Sequence, residues 1–370
     1  MQKLILKMSN LQVKDIIELL SDNIVSIPEY KKYWLIRTQS GNLFDLFVEH
    51  KMVGLEHSEI NLSEITQICN DFNKKESLQK IKQLLVNYYE SIDFENDITP
   101  QKIGLIAGQI YKFFKEVKIG DIVVIPSTNS EVVSFGEVTE NHIAVLNTEE
   151  KRVFDFDFPL LKRVKWIKEL RRTKLDPYFY KVFTSHQAIT DISNYAEVIE
   201  RSLNDLFILN DEAHNVIRIE AEVIKAKDLF GLGYELLDLI DDFCEYYSID
   251  GVSSDDFEVT ININSPGKID FKSLSKKGIG VAAFVLLLTG GGLKYKELSL
   301  TVGGIPSLID SYNTFLETRN KVITEQKMDS VKLSITQDIW NHYKDSLDIK
   351  EPKQMIELMK QVDKNQDLPK

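Results

Sequence analysis

Cysteine is scarce in this sequence, and the usual metal-binding residues are not grouped. Among 370 residues there are two cysteines, Cys69 and Cys244, far apart in the chain. Two distant cysteines exclude a disulfide scaffold and are typical of a reducing cytoplasm. The six histidines are scattered, and no pair has metal-ligand spacing on one helix. We therefore expect a cytoplasmic protein with no metal site and no cofactor.

Long apolar segments are also lacking. Residues 1–5 contain Lys3 but no extended apolar region follows, so no signal peptide is expected. The strongest apolar run is Gly278–Leu288, which as a helix would span only about 16 Å, roughly half of a bilayer core. The sequence thus predicts no membrane span. This run is interpreted as a buried core helix, with an effector helix that becomes exposed on activation as the alternative.

Positive charge is in deficit overall, with 45 basic and 57 acidic residues and a net charge of −12. This negative net charge argues against a non-specific duplex binder, which depends on summed phosphate contacts.

One segment is basic in spite of the acidic charge of the whole chain. Lys162–Lys174 (KRVKWIKELRRTK) holds seven basic residues and one acidic residue. It fits a phosphate-contacting rim with Trp166 interleaved, and it equally fits a solvated edge strand protected by lysines.

The chain is organised around the stretch from Gly104 to Glu140. Thr99-Pro100 is a helix start signal, and apolar residues recur at helical spacing through 101–117. Strands are then predicted at Ile122–Ile125 and Val132–Val138, with turn residues between them. Gly136 lies inside the second strand, as at the bend of a small barrel.

These segments resemble a known family. The sequences KIGDIVVIPS (Lys118–Ser127) and FGEVTE (Phe135–Glu140), with Tyr33–His57 upstream and Lys162–Leu170 downstream, are similar to the N-terminal domain of predicted Mrr-type restriction-system proteins. That domain is related to the PUA and EVE barrels, which take a nucleobase, often a modified one, into an aromatic-lined pocket. The resemblance covers residues 30–185 and implies a small PUA/EVE-like β-barrel with a helical insert at 61–91.

The resemblance also implies a binding site. His57 stands where the family usually has tryptophan, and an imidazole can still stack or donate a hydrogen bond. Trp34 would point into the core if its strand were shifted by one residue, and Phe113 and Trp166 have a core role as their alternative. The candidate nucleobase-binding residues are Trp34, His57, Phe113 and Trp166. The candidate phosphate-binding residues are Lys162, Arg163, Lys165, Lys168, Arg171, Arg172 and Lys174.

The second half has no recognised catalytic motif. There is no Gly-x-Ser-x-Gly and no Walker loop, and the glycines at 290–292 follow an apolar helix instead of preceding one. A magnesium nuclease of the Mrr kind would need a carboxylate two positions before a lysine. Asp270-Phe271-Lys272 has that spacing, but such triplets are frequent by chance. We expect no enzyme, with a nuclease at Asp270 and Lys272 as the alternative.

Alternating apolar residues at 217–223, 257–263 and 298–302, separated by helical patterns, predict a mixed α+β fold for this half. The fold class expected for the whole chain is α+β, in five segments. They are an N-terminal helix and linker (1–29), the nucleobase-sensing domain (30–185), a helical connector (186–212), an α+β effector or oligomerisation domain (213–325), and C-terminal helices with a tail (326–370).

The function expected from these observations is bacterial defence. The N-terminal domain would sense nucleic acid through modified or flipped DNA bases, and the C-terminal domain would signal without acting as a nuclease. DNA is therefore the expected partner, and homo-oligomerisation is left open. The alternatives are the magnesium nuclease and a scaffold that binds a nucleotide or a protein partner.

Overall fold

A computed structural model describes residues 13–15, 17, 18, 21, 22, 24–57, 61–91, 99–141, 160–219, 221–262, 267–289, 312, 314–319 and 336–349. The chain divides into two compact units. The first unit is 30–199, and the second unit combines 1–29 with 200–370. The N-terminal segment is therefore grouped with the C-terminal half of the chain.

The first unit is built on a curled, six-stranded half-barrel sheet. Its strand order is β2-β5-β4-β3-β1-β6. Among these strands β1 and β3 run parallel, and every other neighbouring pair is antiparallel. The mixed α+β fold with a curled sheet is confirmed, but β2 and β6 end the sheet, so it is half of a barrel. The strands are β1 (Tyr33–Ile36), β2 (Met52–Leu55), β3 (Ile122–Pro126), β4 (Val132–Glu140), β5 (Leu160–Arg171) and β6 (Ile189–Asp191).

Among the described residues of the same unit, four α-helices lie between β1 and β3. They are α1 (Phe44–His50), α2 (Leu62–Asp71), α3 (Lys74–Ser91) and α4 (Pro100–Tyr111), which a π-helical turn at Lys112–Glu116 extends. The helical insert predicted at 61–91 is present as α2 and α3. The predicted start of α4 is also confirmed, because Thr99 accepts a hydrogen bond from the Lys102 amide and Pro100 occupies the first turn.

The sheet of the first unit is covered on both faces. One face, with Trp34 and Val123, packs against α1 to α4 in a continuous apolar core. The other face carries Phe135, whose ring lies 6.1 Å from that of Phe179. Phe179 belongs to a 3₁₀ helix, Pro177–Thr184. The cover is incomplete, because Lys165, Ile167 and Glu169 of β5 are exposed.

The second unit contains a four-stranded antiparallel sheet in the order β7-β8-β10-β9. The strands are β7 (Leu206–Leu209), β8 (Glu212–Ile219), β9 (Glu258–Asn262) and β10 (Gly267–Ser273), with helices α6 (Ala226–Tyr247), α7 (Lys276–Thr289) and α8 (Thr336–Leu347). Helix α5 (Ala196–Leu203) precedes β7. Asn210 and Asp211 both have positive φ, as a two-residue hairpin between β7 and β8 requires.

One face of this sheet packs against α6 and α7, and Val13 and Ile17 of the N-terminal segment join the same core. The interpretation of 278–288 as a core helix is confirmed for Ile279–Val285, whose apolar side chains are buried. None of the described helices is both long enough and apolar enough to cross a bilayer.

One prediction of secondary structure and one alternative interpretation of the basic run were wrong. Leu206 and Phe207 had helical spacing but lie in β7, since a short apolar run fits either period. The segment Lys162–Lys174 is not an edge strand, because β5 lies between β2 and β4. The glycines at 290–292 and the strand predicted at 298–302 lie outside the described residues. The sequence also predicts a strand at 143–146 and a helix at 352–362, which lie outside them as well. Of two further helices that it predicts, at 306–323 and 331–347, the described residues cover only a part.

Candidate functional site

The basic run on β5 is divided by the alternation of side chains along the strand and by a β-bulge in its pairing with β4, where Phe135 pairs with Lys168 and Gly136 with Trp166. Lys162 is fully buried, so the phosphate-contacting role predicted for it is not open to it in this structure. Arg163 is half-buried and pairs with Glu140 at 3.6 Å, and Lys165 lies opposite Glu137. Lys162 and Arg163 are thus engaged within the protein, whereas Lys165 is exposed. The cations exposed at its far end are Arg171 and Lys174.

Both tryptophans of the predicted base pocket lie in one row across the sheet. Trp34 pairs with Val123, Val123 with Gly136, and Gly136 with Trp166, so their side chains share a face. Trp34 is fully buried in the core. Trp166 is half-buried and donates a hydrogen bond from Nε1 to the Phe47 carbonyl at 3.2 Å.

Asp121 is a buried carboxylate that interacts with two of the predicted residues, Trp34 and Lys162. Trp34 Nε1 donates to Asp121 Oδ2 at 2.9 Å, and the backbone amides of Lys32 and Lys118 donate to the same carboxylate. Sequence reasoning missed this role. The sequence pattern assigned Asp121 no role beyond its place just before the strand predicted at Ile122–Ile125.

Lys162 lies in the same interior. Its ammonium donates to the carbonyls of Val117 at 3.0 Å and Asn141 at 2.7 Å, and Nζ is 5.5 Å from the centre of the Phe113 ring. Burial lowers the pKa of Lys162 to about 7, and the charge of Asp121 opposes this shift. Three predicted residues, Trp34, Phe113 and Lys162, are thus brought together in one core cluster. Trp34 and Phe113 have no exposed ring surface on which a base could stack, and the base pocket remains a prediction.

His57 is placed elsewhere in the unit. It is half-buried and lies two residues beyond the end of β2. Strand β2 is four places from β1, the strand of Trp34, in the sheet order. The structure therefore does not place these two residues on neighbouring strands.

A different group of aromatic and basic residues meets where β5 ends. We call Arg171, Arg172, Lys174, Tyr178, Tyr180 and Lys181 the basic–aromatic surface. The Arg172 guanidinium lies 4.7 Å from the centre of the Tyr180 ring, and the Tyr180 hydroxyl donates to the Arg172 carbonyl at 2.9 Å. Lys181 Nζ lies 4.9 Å from the centre of the Tyr178 ring. Both distances are within the range of cation–π contacts.

The local sequence explains why these side chains face outward. Asp176 caps the 3₁₀ helix by accepting a hydrogen bond from the Tyr178 amide, and Pro177 fits the first turn. In a 3₁₀ helix residues three apart share a face. Phe179 and Val182 are accordingly buried, whereas Tyr178 and Lys181 are both exposed. The residues of this motif are visible in the sequence, but sequence reasoning gave Tyr178, Tyr180 and Lys181 no binding role.

Residues 56–193 match a family model described as a domain of unknown function, DUF8426. The DUF8426 match covers less than half of the chain. It includes β5, His57, Asp121 and the whole basic–aromatic surface, and it leaves out Trp34 and the second unit. No curated protein and no solved structure matches the chain. The DUF8426 description carries no activity, so function rests on the geometry.

A second polar cluster lies in the second unit, outside the DUF8426 match. His214 Nδ1 is 3.0 Å from Asp270 Oδ2, and Arg201 Nη1 is 3.8 Å from the same oxygen. The His214 ring stacks on Phe207 with the centroids 4.5 Å apart. His214 Nε2 and Asp270 Oδ1 are buried without a hydrogen-bond partner.

Lys272, the other residue of the nuclease alternative, shares a face of β10 with Asp270. Its ammonium pairs with Glu212 at 3.3 Å and with Glu258 at 3.1 Å. Hydrogen bonding to Glu258 contributes most to a raised pKa for Lys272. Asp270 itself is buried and contacts Arg201. A carboxylate so enclosed is not open to a DNA backbone in this arrangement.

Proposed function

We propose that the first unit binds nucleic acid through the basic–aromatic surface. The observation that carries this proposal is the pairing of cations with aromatic rings where β5 ends. Arg172 lies over Tyr180, and Lys181 lies over Tyr178. Grooves that hold nucleic acid combine positive charge along the backbone with aromatic rings on which bases stack.

The charge distribution supports a local contact. The chain as a whole has a net charge of −12, which repels a polyanion. The segment 171–184 has four basic residues against a single acidic one, Asp176, and that carboxylate is engaged as a helix cap. Phosphates would therefore be attracted to this end of the unit more than to the rest of the protein.

The family resemblance supplies the finer part of the proposal. A DNA base, modified or flipped, is its expected ligand, and bacterial defence is its expected setting. The second unit would then act as an effector or oligomerisation module. This part depends on the resemblance, whereas nucleic-acid binding itself is supported by the geometry of the basic–aromatic surface.

The test compares two double variants with the same change in net charge. Arg171→Glu with Lys174→Glu alters the exposed end of the basic–aromatic surface. Lys75→Glu with Lys82→Glu alters exposed positions on α3 and is the control. Binding of fluorescent oligonucleotides is measured by anisotropy across a salt series.

The first variant is expected to weaken binding and to flatten its dependence on salt, since each phosphate contact adds about 0.7 to 0.9 to the slope. The control should bind nearly as the natural chain does. Equal losses in both double variants would show that overall charge, and not this surface, governs binding. No change in either would overturn the proposal.

A further inference from the structure

Tyr178 differs from the aromatic residues around it. Its side chain is 51% exposed, whereas Phe179, the next residue, is buried. The Tyr178 ring lies 5.3 Å from the ring of Tyr195, tilted by 43°, and Lys181 approaches it at 4.9 Å. The ring is thus supported by protein and still presents surface to solvent.

A single exposed aromatic is common on protein surfaces and by itself indicates no ligand. The placement of Tyr178 adds three features. It lies in the capped first turn of a 3₁₀ helix, beside Lys181, and within a few residues of Arg171 and Lys174. A flat ring with one cation against it, in a segment that carries further cations, matches a base attached to a charged backbone.

Duplex nucleic acid does not present a base whose face is free to stack on a protein ring. In a duplex the base faces are stacked on one another, and a protein reaches only the base edges and the backbone. An unpaired nucleotide presents its base face and its phosphate together. The small extent of the basic–aromatic surface and the net charge of −12 also disfavour the many phosphate contacts on which duplex binding depends.

We infer that the ligand of the basic–aromatic surface is single-stranded nucleic acid, one base of which stacks on Tyr178. This inference rests on the proposed function and narrows it. Lys181 would hold the ring in place and contribute charge, while Arg171 and Lys174 would contact the flanking phosphates. Single-stranded RNA and DNA share this chemistry, and the experiment distinguishes them.

The experiment uses the full chain with three variants. Tyr178→Ala removes the ring, Tyr178→Phe keeps it, and Arg171→Glu with Lys174→Glu removes charge. The probes are oligo-dT and oligo-rU of about 12 nucleotides, a duplex of equal length, and an abasic strand that keeps the phosphates but has no bases. Circular dichroism and thermal unfolding confirm that each variant is folded.

The natural chain is expected to bind at least one single strand more tightly than the duplex. Tyr178→Ala should weaken that binding by about 5- to 150-fold, the range typical of one base–aromatic stack. Binding of the abasic strand and the salt slope should stay unchanged in this variant. Tyr178→Phe should bind nearly as the natural chain does, and the ratio of oligo-dT to oligo-rU affinity identifies the sugar.

Two results would overturn the inference. One is equal affinity for duplex and single strand, and the other is unchanged binding by Tyr178→Ala. If Arg171→Glu with Lys174→Glu still weakens binding in either case, the proposed function stands and only the stacking inference fails. If the natural chain binds none of the probes, both fail.

Discussion

The indole of Trp166 lies directly over Gly136. A Cβ atom at Gly136 would come 2.6 Å from Trp166 Cε3 and 2.3 Å from Val164 Cγ1. Such distances are far below van der Waals contact, so only glycine fits here without a shift of the neighbours. The close approach of β4 and β5 therefore depends on the absence of a single side chain.

Gly136→Ala is expected to lower the free energy of unfolding of the first unit by about 1–3 kcal/mol, the range typical of overpacked cores. Urea unfolding is followed by tryptophan fluorescence in a Trp340→Phe background, where Trp34 and Trp166 of the first unit are the remaining tryptophans. Gly108→Ala is the control. It lies in α4 with no atom within 4 Å of the added Cβ, and it should stabilise the unit by about 0.5–1 kcal/mol. Equal effects of the two substitutions would contradict the close packing at Gly136.

Because of Lys162, the free energy of unfolding should depend on pH in the alkaline range. Its pKa is about 7 in the folded chain, against the usual 10.5. Between these values the folded protein releases this proton while the unfolded chain keeps it. The contribution of Lys162 to the free energy of unfolding therefore rises with pH across this window, by at most about 1.4 kcal/mol per pH unit.

Lys162→Met removes this titration, although it leaves the carbonyls of Val117 and Asn141 without their donor. The useful quantity is the difference in stability between the natural chain and Lys162→Met, measured by urea unfolding from pH 7 to pH 10. As the pH rises, the natural chain should become more stable relative to Lys162→Met. A constant difference would show that Lys162 titrates as an ordinary surface lysine.

Trp34 and His57 test the predicted base pocket. Trp34→Phe removes the donor to Asp121 from a buried carboxylate, which should cost about 1–3 kcal/mol of stability. Nucleic-acid binding through the basic–aromatic surface should remain unchanged in this variant. His57→Ala, at a half-buried position after β2, should change stability less. Loss of binding by either variant with folding intact would instead support a pocket at these residues.

Asp270 and Lys272 test the nuclease alternative. Asp270 is buried between His214 and Arg201, so it is expected to stabilise the second unit without cutting DNA. Asp270→Ala should lower stability by about 3–5 kcal/mol, because it leaves the Arg201 charge without this partner. Supercoiled plasmid incubated with the natural chain and Mg²⁺ should remain intact. Cleavage that disappears in both Asp270→Asn and Lys272→Ala would establish the nuclease.

Local signals in the sequence predicted several elements well. The strand predicted at Ile122–Ile125 is β3, and Thr99-Pro100 marked the start of α4. Leu206 and Phe207 were assigned to a helix because four apolar residues in succession carry no decisive period. Asp121 was overlooked as a site residue, since its partners at Lys32 and Trp34 lie nearly ninety positions earlier in the chain.

By itself the sequence determined the types of most elements, the helical insert and the unusual charge of Lys162–Lys174. These properties follow from periodicity, capping and composition, which act over a few neighbouring residues. Only the tertiary structure decided which of those cations are available. It buried Lys162 beside Phe113, placed β5 between two other strands, and turned Tyr178 and Lys181 outward together. The exposure of a side chain depends on contacts between segments that are distant in sequence. Local sequence patterns do not predict which of these segments pack together.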